Sequence, residues 1–260
     1  MPAERLKRQL VASLSLALAP VALAQGMRLR RSAVRLAEAP GQRHGRFQGS
    51  GSGIRLLAVG ESPLAGVGLR SPRDTVACRL AERLSLATGG AVHWQILARG
   101  GLTASAICAD LLPRMTAAPA DLILIGLGVN DSIRLRSAGR WQQDLADLIK
   151  ELHARTGPAP VLLAGVPDMR HFPLLPKALR LLLGSRSRLL DHAAAELAAR
   201  SSATTYLPMN LDARSGHLFC ADGFHPNRDG HALWAEQLTP AALALLEASP
   251  SRQAGASLSP

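Results

Sequence analysis

Between residues 54 and 248 one pattern recurs: a short apolar run followed by a longer stretch with apolar residues at helical spacing. The runs are Ile54–Val59, Val92–Leu97, Leu122–Leu127, Val161–Val166 and Thr204–Leu207. The first, third and fourth carry almost no polar residue, as strands covered on both faces require. The stretches Thr75–Thr88, Thr103–Met115, Gly139–Arg155, Lys177–Arg200 and Arg228–Ala248 predict helices, with Gly184 as a point where the fourth could break. Strands alternating with helices close into right-handed βαβ units. The expected fold class is therefore α/β: a three-layer α/β/α flavodoxin-like sandwich with a mainly parallel five-stranded sheet. Composition agrees, because Ala and Leu carry a 47% hydrophobic content in which aromatics are only 3%. That suits helices packed on a sheet better than an all-β sandwich.

A parallel sheet collects the C-terminal ends of its strands on one edge, where open α/β folds place their chemistry. Four polar clusters fall at or near such ends. They are Gly60-Glu61-Ser62, Arg99-Gly100-Gly101-Leu102-Thr103, Gly128-Val129-Asn130-Asp131 and, before the last helix, Asp222-Gly223-Phe224-His225-Pro226. Taken singly, each has a plain reading: a turn serine, a helix-capping Asn-Asp pair, a surface His-Pro turn. Taken together they supply what acyl transfer needs, namely a nucleophile, a base, a group that orients the base and donors for an oxyanion. Ser62 offers the hydroxyl and His225 the base. Asp222, three residues earlier, can bond the other imidazole nitrogen. Gly101 offers an unobstructed backbone N–H, and Asn130 a side-chain donor that does not titrate.

In this order the four clusters resemble the SGNH (GDSL-type) hydrolase family. Ser62, Gly101, Asn130 and His225 match the residues of its name, Gly128 to Asp131 its G-x-N-D block and Asp222 to His225 its D-x-x-H block. The resemblance selects Gly101 over Gly100, since Gly-x-Thr follows. It covers residue 56 to about residue 238. It implies a serine hydrolase of carboxylic esters, esterase- or lysophospholipase-like, with a catalytic triad of Ser62, Asp222 and His225, an oxyanion hole of Ser62, Gly101 and Asn130, and neither metal nor cofactor. It leaves open an acyltransferase or a carbohydrate O-deacetylase using the same site, and an inactive binding module. Ala65-Gly66-Val67-Gly68 and the N-terminal segment look like a bacterial esterase or lysophospholipase branch. One residue departs from the pattern: Glu61 stands where the family usually has Asp, and is expected to shape the turn around Ser62 through backbone hydrogen bonds.

The substrate expected is an acyl ester, including lipid esters. After the fourth strand, residues 167–176 hold three prolines, which exclude a regular helix, and four apolar side chains, Met169, Phe172, Leu174 and Leu175. These either wall an acyl-binding site or cover the core beneath.

The termini read differently. The formal charge is +11, and residues 1–50 hold nine Lys and Arg against two acids. These basic residues flank the apolar stretch 9–24, and residues 1–35 read as a secretory signal, with Ala22-Leu23-Ala24 as a small-x-small cleavage site, or as an anchor at a membrane surface. Arginines directly after the apolar stretch oppose clean export. A membrane-associated or exported location is expected, with cytoplasmic-side attachment left open. The basic segment lacks interleaved aromatics, so no nucleic-acid partner is expected. The pattern specifies no oligomeric state. Residues 36–53 read as a linker, 54–248 as the hydrolase domain and 249–260 as a disordered tail. Cys78, Cys108 and Cys220 have no metal-ligand spacing and suggest no disulfide framework. His93, His171, His217 and His231 have no partner pattern and read as structural or surface residues. No G-x-S-x-G elbow or nucleotide-binding glycine motif is present.

Overall fold

The computed structural model describes residues 19–50, 53–209 and 216–249. Residues 9–18 of the apolar N-terminal stretch and almost all of the expected tail lie outside the described residues. The elements are α1 (Ala19–Ser32), β1 (His44–Phe47), β2 (Ile54–Gly60), α2 (Val76–Thr88), β3 (Val92–Ala98), α3 (Ala104–Asp110), β4 (Leu122–Gly126), α4 (Val129–Ile133), α5 (Ala138–Thr156), β5 (Val161–Ala164), α6 (Lys177–Ala198), β6 (Thr204–Leu207) and α7 (Arg228–Glu247).

The strands form one mixed sheet in the order β1-β3-β2-β4-β5-β6. β2 to β6 are mutually parallel, and β1 runs antiparallel to β3 at the edge. Residues along β2 alternate between two cores, as the twofold period of a strand demands. Leu56 and Ala58 pack with Val76, Leu80 and Leu84 of α2 and with Trp234 and Leu238 of α7. Leu57 and Val59 face Ile107 of α3, Leu145 and Leu148 of α5, and Leu190 of α6. The expected three layers follow directly from this split. α6 runs unbroken through Gly184, and Arg170 from the preceding loop packs so closely on that glycine that no side chain would fit there.

The sheet has six strands rather than five, and the sixth corrects the reading of residues 36–53 as a linker. β1 lies inside that segment and pairs with β3 from His44↔Gln95 to Phe47↔Val92. Its four residues show no hydrophobic run, so no apolar signal marks them. What holds them is backbone pairing, and the fit of Gly45 against the Trp94 ring, where a Cβ would come within 2.8 Å of the indole. α1 is likewise docked on the domain. Ala22 is buried, Leu29 packs on a small cluster of Val129, Met169, Phe172, Leu175 and Leu183, and the Leu179 N–H donates to Gln25 Oε1 at 3.1 Å. Among the described residues no helix is long and apolar enough to cross a membrane.

The chain visits β3 on one side of β2 and then crosses to β4 on the other. The reversal opens a crevice at the C-terminal ends of β2 and β4, which is where such folds bind ligands.

Candidate active site

Two glycines bring the ends of β2 and β4 together. Gly60 and Gly126 are register partners, and a Cβ on Gly60 would collide with the Gly126 carbonyl and with Leu64. The turn that follows β2 can therefore fold back tightly, with Ala65 and Val67 donating to the Glu61 and Ser62 carbonyls. Ser62 sits at the head of this turn, only 8% exposed.

Glu61 is almost wholly buried, and its carboxylate does not cap its own turn as expected. It reaches across to the end of β4. Oε1 accepts from the Val129 N–H at 2.8 Å, and Oε2 accepts from the Asn130 N–H at 2.9 Å and from the Asn130 side-chain amide. The methylene that Glu has beyond Asp supplies the reach. Burial pushes its carboxyl up to about 8 against the pull of those N–H donors. Asp131, next along, is also fully buried and pushed up to about 6 by burial, and the Ala104 N–H donates to it at 3.3 Å.

Asn130 Nδ2 makes a second bond, to the Leu102 carbonyl at 3.1 Å, so both of its hydrogens are engaged. The two glycines after β3 are told apart by their partners. The Gly100 N–H donates to Glu38 Oε1 at 2.6 Å, whereas Gly101, with φ +80 and open space where a Cβ would be, keeps its N–H free among the described residues. The Ser62 N–H is free in the same sense. Glu38 is in turn bonded to Arg43, whose other Nη donates to the Ala98 carbonyl at 2.5 Å. This pair comes from the segment read as a linker. Sequence reasoning missed it because a lone Glu and Arg between polar residues give no signal of what they reach.

The loop before α7 is built around Asp222. Oδ1 accepts from the Phe224 and His225 N–H groups at 2.9 and 3.0 Å, and Oδ2 is 2.6 Å from His225 Nδ1. Burial works to raise the Asp222 carboxyl, but the His225 hydrogen bond and the two N–H donors hold it below the usual carboxylate range. With Nδ1 committed, Nε2 is the nitrogen left to face a substrate. Ser62 and His225 border one cavity of about 260 Å³, lined also by Pro63, Val129, Pro167, Asp168, His171, Phe172, Met209, Phe219, Phe224 and Pro226. Among the described residues no hydrogen bond yet joins the Ser62 hydroxyl to the imidazole. Such bonds commonly close only once substrate is bound.

Of the four apolar residues expected to wall the substrate, only Phe172 borders this cavity. Met169 and Leu175 are buried in the small cluster under α1, because the loop coils into a 3-10 turn at Met169–His171 that points them inward. Leu174 is absent from the lining, and its N–H ties the loop to Gly223 O at 3.0 Å. Phe172 shares the wall with two aromatics that the sequence did not single out as wall residues, Phe219 and Phe224. Phe172 meets Phe219 and Phe224 edge-on at 5.7 and 5.1 Å, and Phe224 meets the His225 ring at 5.1 Å. His171, read as a structural or surface residue, also reaches the cavity. His231 is buried and structural. The Val76 N–H donates to its Nδ1 at 3.1 Å, and burial lowers it to about 3, so it stays neutral. The three cysteines are free thiols, and among the described residues no group of three His, Cys, Asp or Glu side chains could hold a metal.

The model of the GDSL-like Lipase/Acylhydrolase family matches residues 58–233. The chain belongs to this family. A GDSL-like esterase of Mycobacterium tuberculosis is 28% identical over 192 residues, which are 71% of this chain and 60% of that protein, so the chain spans about three fifths of the relative's length. Among solved structures, TesA superposes with a TM-score of 0.55 at 24% identity, over 74% of this chain and 99% of its own. A lipase from a goat rumen metagenome gives a TM-score of 0.57 at 18% identity, over 72% and 97%. These likenesses show that both solved proteins share the fold of this chain. Against that family frame, β1 and the Glu38–Arg43 pair lie ahead of the matched span.

Proposed function

We propose that this GDSL-family protein is a serine hydrolase of carboxylic esters. The observation that carries the reading is one cavity bordered by Ser62 and by a histidine whose Nδ1 is locked 2.6 Å from a buried aspartate. Ser62 Oγ attacks the acyl carbon while His225 Nε2 takes its proton, and Asp222 holds the ring in the required tautomer. The oxyanion receives the Ser62 and Gly101 N–H groups and the Asn130 amide, which exchanges its Leu102 carbonyl partner for the developing charge. His225 then protonates the leaving alcohol. Water, deprotonated by the same nitrogen, releases the acid from Ser62. A 260 Å³ cavity with aromatic walls suits a compact acyl group.

The test is hydrolysis of a p-nitrophenyl ester series by wild type and Ser62→Ala. The variant should retain its fold by circular dichroism and lose turnover by about 10⁶-fold, the order seen when a triad serine is removed. Turnover like that of wild type would overturn the mechanism. Products that carry the acyl group on an added alcohol or sugar, rather than free acid, would make the protein a transferase with the same acyl-enzyme.

A further inference from the structure

We propose that the outward face of α1, with the start of α6, is a docking surface for a bilayer rich in anionic phospholipid. The proposal rests on the ester-hydrolase reading only for its purpose, the delivery of lipid esters. The docking itself does not depend on it.

α1 holds the domain with Ala22, Gln25 and Leu29, and among the described residues its opposite side is unpartnered. Along that side Leu23, Met27 and Arg31 follow at four-residue steps, which places them on one ridge. Leu23 is 65% exposed and Met27 52%; Val21, 54% exposed, stands off this ridge, one turn before Gln25. On α6, which α1 packs against, Leu181 is 54% exposed and shares a stripe with Lys177 and Arg188. Single exposed leucines are ordinary, but Leu23 and Met27 share one ridge with Arg31, and Leu181 stands with Lys177 and Arg188 on the helix that α1 packs on.

The charge around them has one sign. Arg28, Arg30, Arg31, Arg35, Lys177 and Arg188 are all exposed, and no acidic residue occurs from 19 to 37 or from 169 to 190. Such a face selects an anionic occupant. Two features favour a bilayer over nucleic acid. The cations are interleaved with aliphatic side chains, and residues 19–37 and 173–190 contain no aromatic on which bases could stack. An interfacial helix sinks its aliphatic residues past the headgroups and leaves its arginines among the phosphates, which is the division along α1 between Val21–Met27 and Arg28–Arg31. The buried side of α1 backs Met169, Phe172 and Leu175, and Phe172 borders the cavity. A docked bilayer would therefore lie about one helix diameter, roughly 10 Å, from the wall of the candidate active site.

The experiment is flotation of the full chain with vesicles of phosphatidylglycerol and phosphatidylcholine, and with phosphatidylcholine alone. Binding should require the anionic lipid. Replacing Arg28, Arg30 and Arg31 together by Gln should weaken it about a hundredfold, at roughly fivefold per cation. Leu23→Asp with Met27→Asp should abolish it. Both variants should keep wild-type turnover of a soluble p-nitrophenyl ester, which separates loss of docking from loss of fold. Equal vesicle binding by the variants, equal binding to phosphatidylcholine alone, or equally tight binding to duplex DNA would overturn the proposal. So would a mature chain that begins at Gln25, since Leu23 would be gone from the ridge. If no ester is hydrolysed yet the vesicle results hold, the enzymatic reading falls and the docking surface stands.

Discussion

Two carboxylates organise the edge of the sheet that holds the candidate active site, and they do so with the same bonds. Glu61 accepts two backbone N–H groups and then the side chain of Asn130, a residue that supplied one of those N–H groups. Asp222 accepts two backbone N–H groups and then the side chain of His225, on the same plan. Each acid fixes a loop and aims a functional side chain in one stroke. Their electrostatics diverge. Glu61 lies under the sheet edge with another buried acid, Asp131, nearby, so burial outweighs its donors and the carboxyl rises to about 8. Asp222 is bonded to an imidazole that can carry positive charge, so its carboxyl is held low. The pair teaches that hydrogen-bond count does not set ionisation. The charge of the third partner and the depth of burial do.

The largest effect that would break the parallel is at Asp222. Asp222→Asn should leave the loop's backbone bonds largely intact but present the wrong tautomer of His225, lowering kcat on the order of 10⁴-fold. Steady-state kinetics on a soluble ester would measure it, and a loss of less than tenfold would mean that Asp222 only shapes the loop. Next comes the residue that Glu61 holds. Asn130→Ala should lower kcat by about 10²–10³ with KM little changed, the cost of one oxyanion donor. If KM alone moved, the amide would be binding substrate in its ground state, and the two carboxylates would not be serving one reaction.

A smaller effect sharpens what the Asp222 loop has and the Glu61 loop lacks, a buttress of aromatic rings. Phe172→Ala should cost about 3–5 kcal/mol of stability. It should also lose most on longer esters, since each buried methylene is worth about 0.8 kcal/mol, roughly fourfold in kcat/KM. Equal losses on all chain lengths would make Phe172 a support of Phe224 and His225 rather than a contact for the acyl group.

The smallest effect separates the two acids by pH. In the folded chain Glu61 keeps its proton up to about pH 8, whereas unfolded it releases it near 4.5, so its burial erodes stability progressively as pH rises between those values. Asp222, with a depressed value, contributes stability that is fully present above its ordinary 3.8 and lost only as pH falls through the folded value. Glu61→Gln removes the first dependence. The melting temperature of wild type minus that of the variant should therefore shrink between pH 5 and 8, while the same difference for Asp222→Asn stays flat. A constant difference for Glu61→Gln would show that its carboxyl is ionised throughout.

The parallel core was legible in the sequence because strands covered on both faces must be apolar throughout, and no other element of five residues reads as Leu122–Gly126 does. The residues of the site were legible for a related reason. Ser62 and Asn130 each follow the end of an apolar run, while Asp222 and His225 stand in the loop ahead of the last helix and were legible through their D-x-x-H spacing. What escaped was held by backbone or by shape. β1 is an edge strand of four mixed residues paired through its main chain. Glu38 speaks to Gly100 across sixty-two positions. Met169 and Leu175 look the same in sequence as Phe172, and only the 3-10 turn decides which of them faces the cavity. Glu61 departs visibly from the family pattern, but its length serves to reach the end of the neighbouring strand rather than to shape its own turn.

The Glu38–Gly100 contact bears on how a protein of this kind could be passed between genomes or fused to another gene. The span that matches the family begins at residue 58, yet the N–H of Gly100 is claimed by a side chain twenty residues earlier, and β1 shields the indole of Trp94. A copy beginning at Ile54 would inherit the proposed nucleophile, base and orienting acid. It would also release the Gly100 N–H beside that of Gly101 and expose a sheet edge that pairs readily with another chain. The smallest portable unit is thus longer than its motifs, and a tolerated fusion joint falls ahead of residue 36.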